Sequence, residues 1–364
     1  MTKELSEFFS GDNFERPFSL EKNGKSDYLI GKINQLTSFH YDNCSEYQKI
    51  IASIFEDKKE AKELSDVPFL PVQIFKNHDL YSVDKKDLVT TMTSSGTSGQ
   101  SVSRIFLDKR TAFNQSKVLS KIVTDFIGKK RLPFFVIDSP EVIKNRSNFS
   151  ARGAGILGFS RFGSERTFLL DEKMNLDLDL LKKISAKYMN QPILFFGFTF
   201  MIWKHFLAQI ESSGISFSFS NGSVIHGGGW KKLIDQAVSE DDFKKSFKKL
   251  LNIRNVYNYY GMVEQTGSIF FQCSEGHIHT SNFSEIIIRD PISFEVIDDG
   301  KVGLIQLISL LPQSYPGHSI LSEDLGVIIG QDDCPCGRRG KYFEIRGRIK
   351  QAELRGCSDT YSDT

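Results

Sequence analysis

Between Thr90 and Arg104 the chain reads TTMTSSGTSGQSVSR. Small hydroxyl side chains alternate with glycines, and nothing in the stretch can build a core. After a strand, such a loop offers backbone N–H groups and hydroxyls to a polyphosphate, and glycine lets the main chain approach closely. Ser94, Ser95, Gly96, Thr97, Ser98 and Gly99 are the candidates to hold phosphate. No Gly-Lys-Ser/Thr follows, which excludes a Walker loop. A solvated surface turn has the same composition, so the loop alone leaves both readings open.

Three further segments bear on the choice. In HGGGW, the consecutive glycines Gly227, Gly228 and Gly229 lose conformational entropy on ordering, which argues for a backbone lying against something flat or bulky. In YNYYGMVEQTG, Tyr260 stands beside Gly261, with Glu264 shortly after. A tyrosine face stacks on a purine, and a carboxylate binds Mg²⁺. In LSEDLGVII, Asp324 stands at the mouth of a strand, where a carboxylate accepts both hydroxyls of a ribose. Each has a plain alternative: Tyr260 as core, Asp324 as a turn residue.

Taken in order, the set resembles the adenylate-forming superfamily, which activates carboxylic acids with ATP. TSSGTSG is similar to its phosphate loop, GGGW to its adenine-side glycine segment, YYGMVE to its Tyr-Gly-x-Thr-Glu motif and SEDLG to its ribose motif. GRIK is similar to the Gly-Arg hinge that follows. Within the superfamily the chain resembles the acyl-protein synthetases of bacterial luciferase systems, and next the phenylacetate–CoA ligases, from PFLPVQIFK near residue 68 to EIRGRIKQAELRGC near the end.

The resemblance implies an ATP- and Mg²⁺-dependent ligase that forms an acyl adenylate and passes the acyl group to a thiol or amine. Glu264 would hold Mg²⁺, and Arg348 would supply charge near the ribose or phosphate. Gly197 and Phe198, in FFGFTFMIW, would border the acyl pocket. His226 would meet the acyl carboxylate or be a core histidine. Two departures stand out. Val263 replaces the usual hydroxyl residue before the glutamate, and the loop offers only Arg104 where a lysine is usual. A competing reading is a catalytically weak nucleotide- and acyl-binding module of a multiprotein complex.

The cysteines form a second constellation. Cys334 and Cys336 in CPCGR, with Cys273 and His279 in CSEGHIH, make a plausible tetrahedral S₃N zinc set; His277 is an alternative fourth ligand, and free thiols are the other reading. Cys357 stands in the polar stretch ELRGCSDTYSDT, two residues after Arg355, which would stabilise a thiolate. Cysteine is usually buried, so this setting is atypical, although a frayed tail with an incidental cysteine is the plain reading. The resemblance implies that Cys357 carries the acyl group to a partner reductase; a carrier protein, an amine or coenzyme A are the other acceptors.

Alternating elements must position these residues. Strands are expected at DLVTTM, SRIFLD, LPFFVID, PILFFGF and SVIHGGGW. Helices are expected at 45–64 with Ser45 as N-cap, at 110–127, at 176–189, and at 199–214 with Thr199 as N-cap. VPFLPVQIF reads as extended chain. After about residue 268, EIIIRD, SFEVID and GLIQLISL read as strands, with Asp299-Gly300 turning between the last two. The expected fold is therefore α/β, the N-terminal-domain fold of adenylate-forming enzymes. It would comprise an N-terminal helical region (1–67), a core (68–346) with a smaller β-rich subdomain from about 269, and a short tail (347–364) in place of a full C-terminal domain.

Composition sets the outer limits. With 364 residues the chain can bury a large core, and a net charge of +1 gives no broad attraction to nucleic acid or an anionic membrane. No apolar run spans a bilayer, and the polar start MTKELSEFFSGDNFERP is no secretory signal, so a cytoplasmic protein is expected. Five cysteines, with Cys44 the fifth, make no disulfide framework.

Overall fold

The computed structural model describes residues 8–56, 60–94, 102–144, 151–230 and 237–349. They fall into two compact units. Residues 127–260 supply the described part of one, and residues 8–126 with 261–349 that of the other.

The 127–260 unit is built on a parallel sheet. Its strands lie in the order Asn255–Tyr260, Gly222–Gly227, Ile193–Phe198, Leu132–Ile137, Gly163–Phe168. Ile193–Phe198 is buried at every position, as its unbroken apolar run requires of a strand covered on both faces. Leu178–Tyr188 packs Leu181 and Ile184 inward, and the Asp177 carboxylate accepts from Leu180 N at 2.8 Å to cap it. Gly227, Phe198 and Tyr260 all end strands of this sheet. In open α/β sheets the carboxyl ends of strands are where ligands bind.

The helix after Ile193–Phe198 departs from expectation. Thr199 is its first residue, not its cap, and its hydroxyl makes no cap bond. The helix begins at Thr199–Ile202, widens into a π-turn over Trp203–Leu207, resumes at Ala208–Ser213, and ends as expected at Gly214, whose φ of 68° lies in the left-handed region.

The second unit holds an antiparallel sheet in the order Ser284–Arg289, Gly303–Ser309, Ser319–Gln331, Lys341–Arg348, Ile278–His279, Phe270–Gln272. The helices Lys22–Asn43, Ser45–Phe55 and Lys109–Ile127 belong to the same unit. Three expectations are corrected here. The helix expected over 45–64 stops at Phe55, where Glu56 turns to φ 50°, and its cap residue is Cys44 rather than Ser45. VPFLPVQIF is extended at Val67 and pairs as a strand at Leu70–Pro71, but turns helical over Ile74–Asn77. SFEVID is not a strand: Asp290 Oδ1 accepts from Ile292 N and Ser293 N, each at 2.9 Å, and curls the chain, leaving one bridge between Arg289 and Val296. The hairpin pairs Ser284–Arg289 with Gly303–Ser309 instead.

Candidate active site and metal centre

In the second unit, the strands Leu88–Thr93 and Arg104–Asp108 pair antiparallel and bracket the hydroxyl-rich loop. Its base is closed by two serines. Ser94 N donates to Ser103 O at 3.1 Å, and Ser103 N donates to Ser94 Oγ at 2.9 Å. Ser95, Gly96, Thr97, Ser98 and Gly99 lie outside the described residues.

Ser103, which sequence reasoning passed over, stands near Glu264 and favours its charged form. Its buried hydroxyl makes no hydrogen bond among the described residues. Glu264 is buried. Burial pushes its pKa up, and Ser103, Lys76 and Arg348 pull it back. The turn around it is hydrogen-bonded to its surroundings. The Tyr315 hydroxyl donates to Glu264 O at 2.9 Å, and Gln265 Nε2 donates to Leu307 O and Gly317 O. A Cβ added at Gly317 would lie 2.3 Å from the Tyr315 ring and 2.9 Å from Glu264 O, so only glycine fits there. Among the described residues no cation forms an ion pair with Glu264. A buried carboxylate in this condition suits a divalent cation.

Asp324 and Arg348 are 24 residues apart in sequence and directly opposite in register on neighbouring strands. Arg348 Nε donates to Asp324 Oδ1 at 2.5 Å. Asp324 is 3% exposed, and its own N–H is held by Ser322 Oγ at 3.2 Å. Arg104 is engaged elsewhere, paired with Asp79 at 2.6 Å. Lys76, on the short Ile74–Asn77 helix, is the cation the sequence reading missed; the only signal for it was its place at the end of VPFLPVQIFK.

In the 127–260 unit the three glycines separate into three cases. A Cβ at Gly227 would sit 2.6 Å from the ring of Tyr259, so at this position the flat object is the protein's own tyrosine. Gly228 has φ +76°, and a Cβ there would meet Phe198 at 3.2 Å. Among the described residues no atom beyond its chain neighbours lies within 4 Å of the Gly229 side-chain position, and both Gly228 and Gly229 are exposed. Tyr260 ends its strand half-buried, and in the second unit a Cβ at Gly261 would meet Ile269 at 3.0 Å.

Gly197 is tightly enclosed, with Ile202 and Ile137 at 3.0 and 3.1 Å from its side-chain position. Phe198, at the strand–helix corner, packs edge-on against Phe196. Phe159, Phe196 and Tyr259 form a stack beside it, with centroids 4.7 Å and 5.0 Å from Phe159. His226 is a core histidine. It is 2% exposed, its ring lies 4.7 Å from that of Phe243, and burial pushes its pKa down to about 3.

Cys273, His279, Cys334 and Cys336 come together, with their ligand atoms all within 4.8 Å of one another. Cys273 Sγ and Cys334 Sγ are 3.9 Å apart, and Cys336 Sγ lies 3.4 Å from His279 Nε2. A tetrahedron with metal–sulfur bonds of about 2.3 Å has sulfurs roughly 3.8 Å apart, so the set fits zinc. Two similar turns present the thiols. Gly276 N donates to Cys273 O, and Gly337 N to Cys334 O, and both glycines have positive φ. Burial raises the Cys334 thiol to about 12 and lowers His279 to about 3. His277 also comes near, its Nδ1 3.4 Å from Cys334 Sγ, while its ring stacks on Tyr342 at 4.5 Å. Cys357 lies outside the described residues.

Comparison with known proteins bears on the fold and the family. A 2-hydroxyisobutyryl-CoA ligase, solved in an open conformation with 2-HIB-AMP and CoA, superposes with a TM-score of 0.71 at 14% identity, covering 96% of this chain and 83% of that one. The same ligase in its postadenylation state gives 0.72 at 15%, covering 95% and 75%. The chain thus has the fold of the adenylate-forming ligases. Proteins described as long-chain-fatty-acid–luciferin-component ligase are 22% identical in Vibrio harveyi, over 88% of this chain and 83% of theirs, and 21% identical in Aliivibrio fischeri, over 88% and 84%. The model of the acyl-protein synthetase family LuxE matches residues 11–364. The chain therefore belongs to the acyl-protein synthetase family, whose members are ATP-dependent, acyl-adenylate-forming ligases.

Proposed function

We propose that this ligase activates a long-chain fatty acid and carries the acyl group as a thioester on Cys357 before passing it to a partner protein. The carrying observation is that one unit holds the loop base at Ser94 and Ser103 and the buried Glu264 carboxyl group, with Ser103, Lys76 and Arg348 near enough to favour its charge. The acid is inferred from the relatives in the two Vibrio-type organisms.

A carboxylate is a poor acyl donor because its leaving group would be oxide. In the first step a carboxylate oxygen attacks the α-phosphorus of ATP and pyrophosphate leaves. In the second, the Cys357 thiolate attacks the acyl carbon and AMP leaves. Both steps need alignment and charge neutralisation more than covalent help. Residues 94–99 hold the β- and γ-phosphates, Asp324 accepts the ribose hydroxyls, and the Gly227–Gly229 turn and Tyr260 take the base. Glu264 holds Mg²⁺, which when bound neutralises charge on the phosphate oxygens. Gly197 and Phe198 border the acyl chain. Zinc held by Cys273, His279, Cys334 and Cys336 is structural, since four protein ligands leave no open position.

Intact-protein mass spectrometry after incubation with ATP, Mg²⁺ and a long-chain fatty acid tests this reading. An acyl adduct is expected on the wild type and absent from Cys357→Ser, which keeps pyrophosphate release. Full acyl transfer to an acceptor by Cys357→Ser would sink the thioester step and point to coenzyme A, an amine or a carrier protein as direct acceptor.

A further inference from the structure

Thr199 was expected to cap its own helix, and the structure gives its hydroxyl different work. Strands Ile193–Phe198 and Gly222–Gly227 run in parallel, with Phe198 opposite Gly227. Beyond that pair the chain at Gly228 swings to φ +76° and leaves the ladder. Thr199, one residue past Phe198, stands where the next ladder partner would be. Its Oγ1 lies 2.8 Å from Gly228 O, 3.2 Å from Gly227 O and 3.0 Å from His226 Nδ1. A threonine hydroxyl has one proton to give. The shortest contact takes it, so Gly228 O accepts and the lone pairs face His226, which then donates from Nδ1. His226 cannot turn away, because its ring is packed against Phe243.

The hydroxyl thus ties three consecutive residues, His226, Gly227 and Gly228, at the point where the glycine turn departs from the sheet. Glycine itself supplies no stiffness there, since it is the residue freest to move. Downstream, Trp230 packs edge-on against Trp203 at 5.5 Å, and Phe243 touches both. Between the tie and this aromatic cluster lies Gly229, the one glycine of the three with open space over it.

We infer that Thr199 is a positioning residue for the nucleotide: its hydroxyl holds the Gly227–Gly229 turn in the shape that receives the base of ATP. The inference rests on the reading that this turn takes the base. It acts on ATP affinity and not on the acyl chain or the chemical step.

Trp203 and Trp230 are the only two tryptophans of the chain, and both flank the turn, so intrinsic fluorescence reports ATP binding without any turnover. The test compares wild type, Thr199→Ser, Thr199→Val and Thr199→Ala by ATP titration and by fatty-acid-dependent ATP–pyrophosphate exchange. Urea midpoints check folding. If the valine methyl, placed against two carbonyl oxygens, prevents folding, the alanine variant carries the test. Loss of the hydroxyl should raise Kd and KM for ATP about tenfold, the effect of one hydrogen bond. Turnover at saturating ATP and KM for the fatty acid should stay within about twofold, and Thr199→Ser should match wild type to the same extent.

Unchanged ATP affinity in both hydroxyl-free variants would overturn the inference and leave the nucleotide reading standing. So would a loss confined to turnover or fatty-acid KM, or a serine variant as weak as the valine one. A wild-type protein that neither binds ATP nor catalyses exchange would overturn the nucleotide reading itself and the inference with it.

Discussion

At the scale of single residues, Asp324 has two claims on its carboxylate. Oδ1 accepts from Arg348, and a carboxylate has about four lone-pair sites in all, so it can accept from ribose hydroxyls as well. Burial makes each such bond worth more than it would be in water. Asp324→Ala removes these acceptors and the bond from Arg348 in one change. Hydrogen bonds to charged groups contribute about 1.5–3 kcal/mol, so ATP affinity should fall by roughly tenfold to a hundredfold. Titration with ATP measures this directly, and unchanged affinity would remove Asp324 from the site. Arg348→Lys is a milder probe. It keeps the charge near Glu264 but lacks the guanidinium fork, so it should weaken ATP binding less than Asp324→Ala.

Elements are where sequence and structure part company, and the helix Lys22–Asn43 shows why. Its buried residues are Lys25, Leu29, Ile33, Leu36, Thr37, His40 and Tyr41. The spacing is helical, but lysine, threonine and histidine on the inner face blur the apolar period, so a helical region over 1–67 is legible without bounds for this helix. Those polar groups are satisfied by distant partners. Lys25 pairs with Glu285 at 3.2 Å and donates to Thr280 Oγ1 at 2.6 Å. His40 stacks on His318 at 5.0 Å, contacts Ser82 Oγ at 2.8 Å and Pro312 O at 3.1 Å, and Thr37 contacts His318 Nε2 at 3.0 Å. Burial pushes His40 down to about 3 and His318 well below its usual value.

An unfolded histidine protonates near about 6.5, so below that pH the unfolded chain binds more protons than the folded one. The stability from this pair is complete above the unfolded value and is lost as pH falls towards 3. Urea midpoints at neutral pH and near pH 5 should therefore differ, and His40→Gln should narrow the difference. An equal difference in the variant would assign the acid sensitivity to other groups.

The strands Leu132–Ile137 and Ile193–Phe198 were legible because burial, complete in the second and from Phe134 onward in the first, leaves an unbroken apolar run. SFEVID alternates like a strand, yet the Asp290 side chain turns the chain first. The site divides in the same way. Glu264, Asp324 and Arg348 were visible from local motifs, and the structure adds what motifs cannot show: Ser103 at the loop base, Lys76 near Glu264, and Tyr259 filling the space over Gly227.

At the scale of the whole molecule, the cysteine centre ties together segments that sequence keeps far apart. Cys273 and Cys334 are separated by 61 positions. Cys334 and Cys336 lie in the link between the strands Ser319–Gln331 and Lys341–Arg348, the two that bring Asp324 and Arg348 into register. In the absence of a cation, burial favours neutral thiols at Cys273 and Cys334 and a neutral imidazole at His279. Zinc would reverse that preference for the thiols, so its binding energy becomes folding energy. Cross-linking a loop of this length contributes about 4 kcal/mol in the chain-entropy model.

Protein purified without added metal should hold one equivalent of zinc per chain. Cys334→Ser should lower the unfolding temperature and, because the same strand pair carries Asp324 and Arg348, should also weaken ATP binding. His277→Ala should retain the metal if His279 is the fourth ligand, and His279→Ala should lose it. Metal analysis and ATP titration of these three variants separate the possibilities. Less than a tenth of an equivalent in the wild type, with all thiols freely titratable, would leave the four side chains as a chance gathering. Full zinc with ATP affinity unchanged in Cys334→Ser would confine the metal to stability and break its link to the nucleotide site.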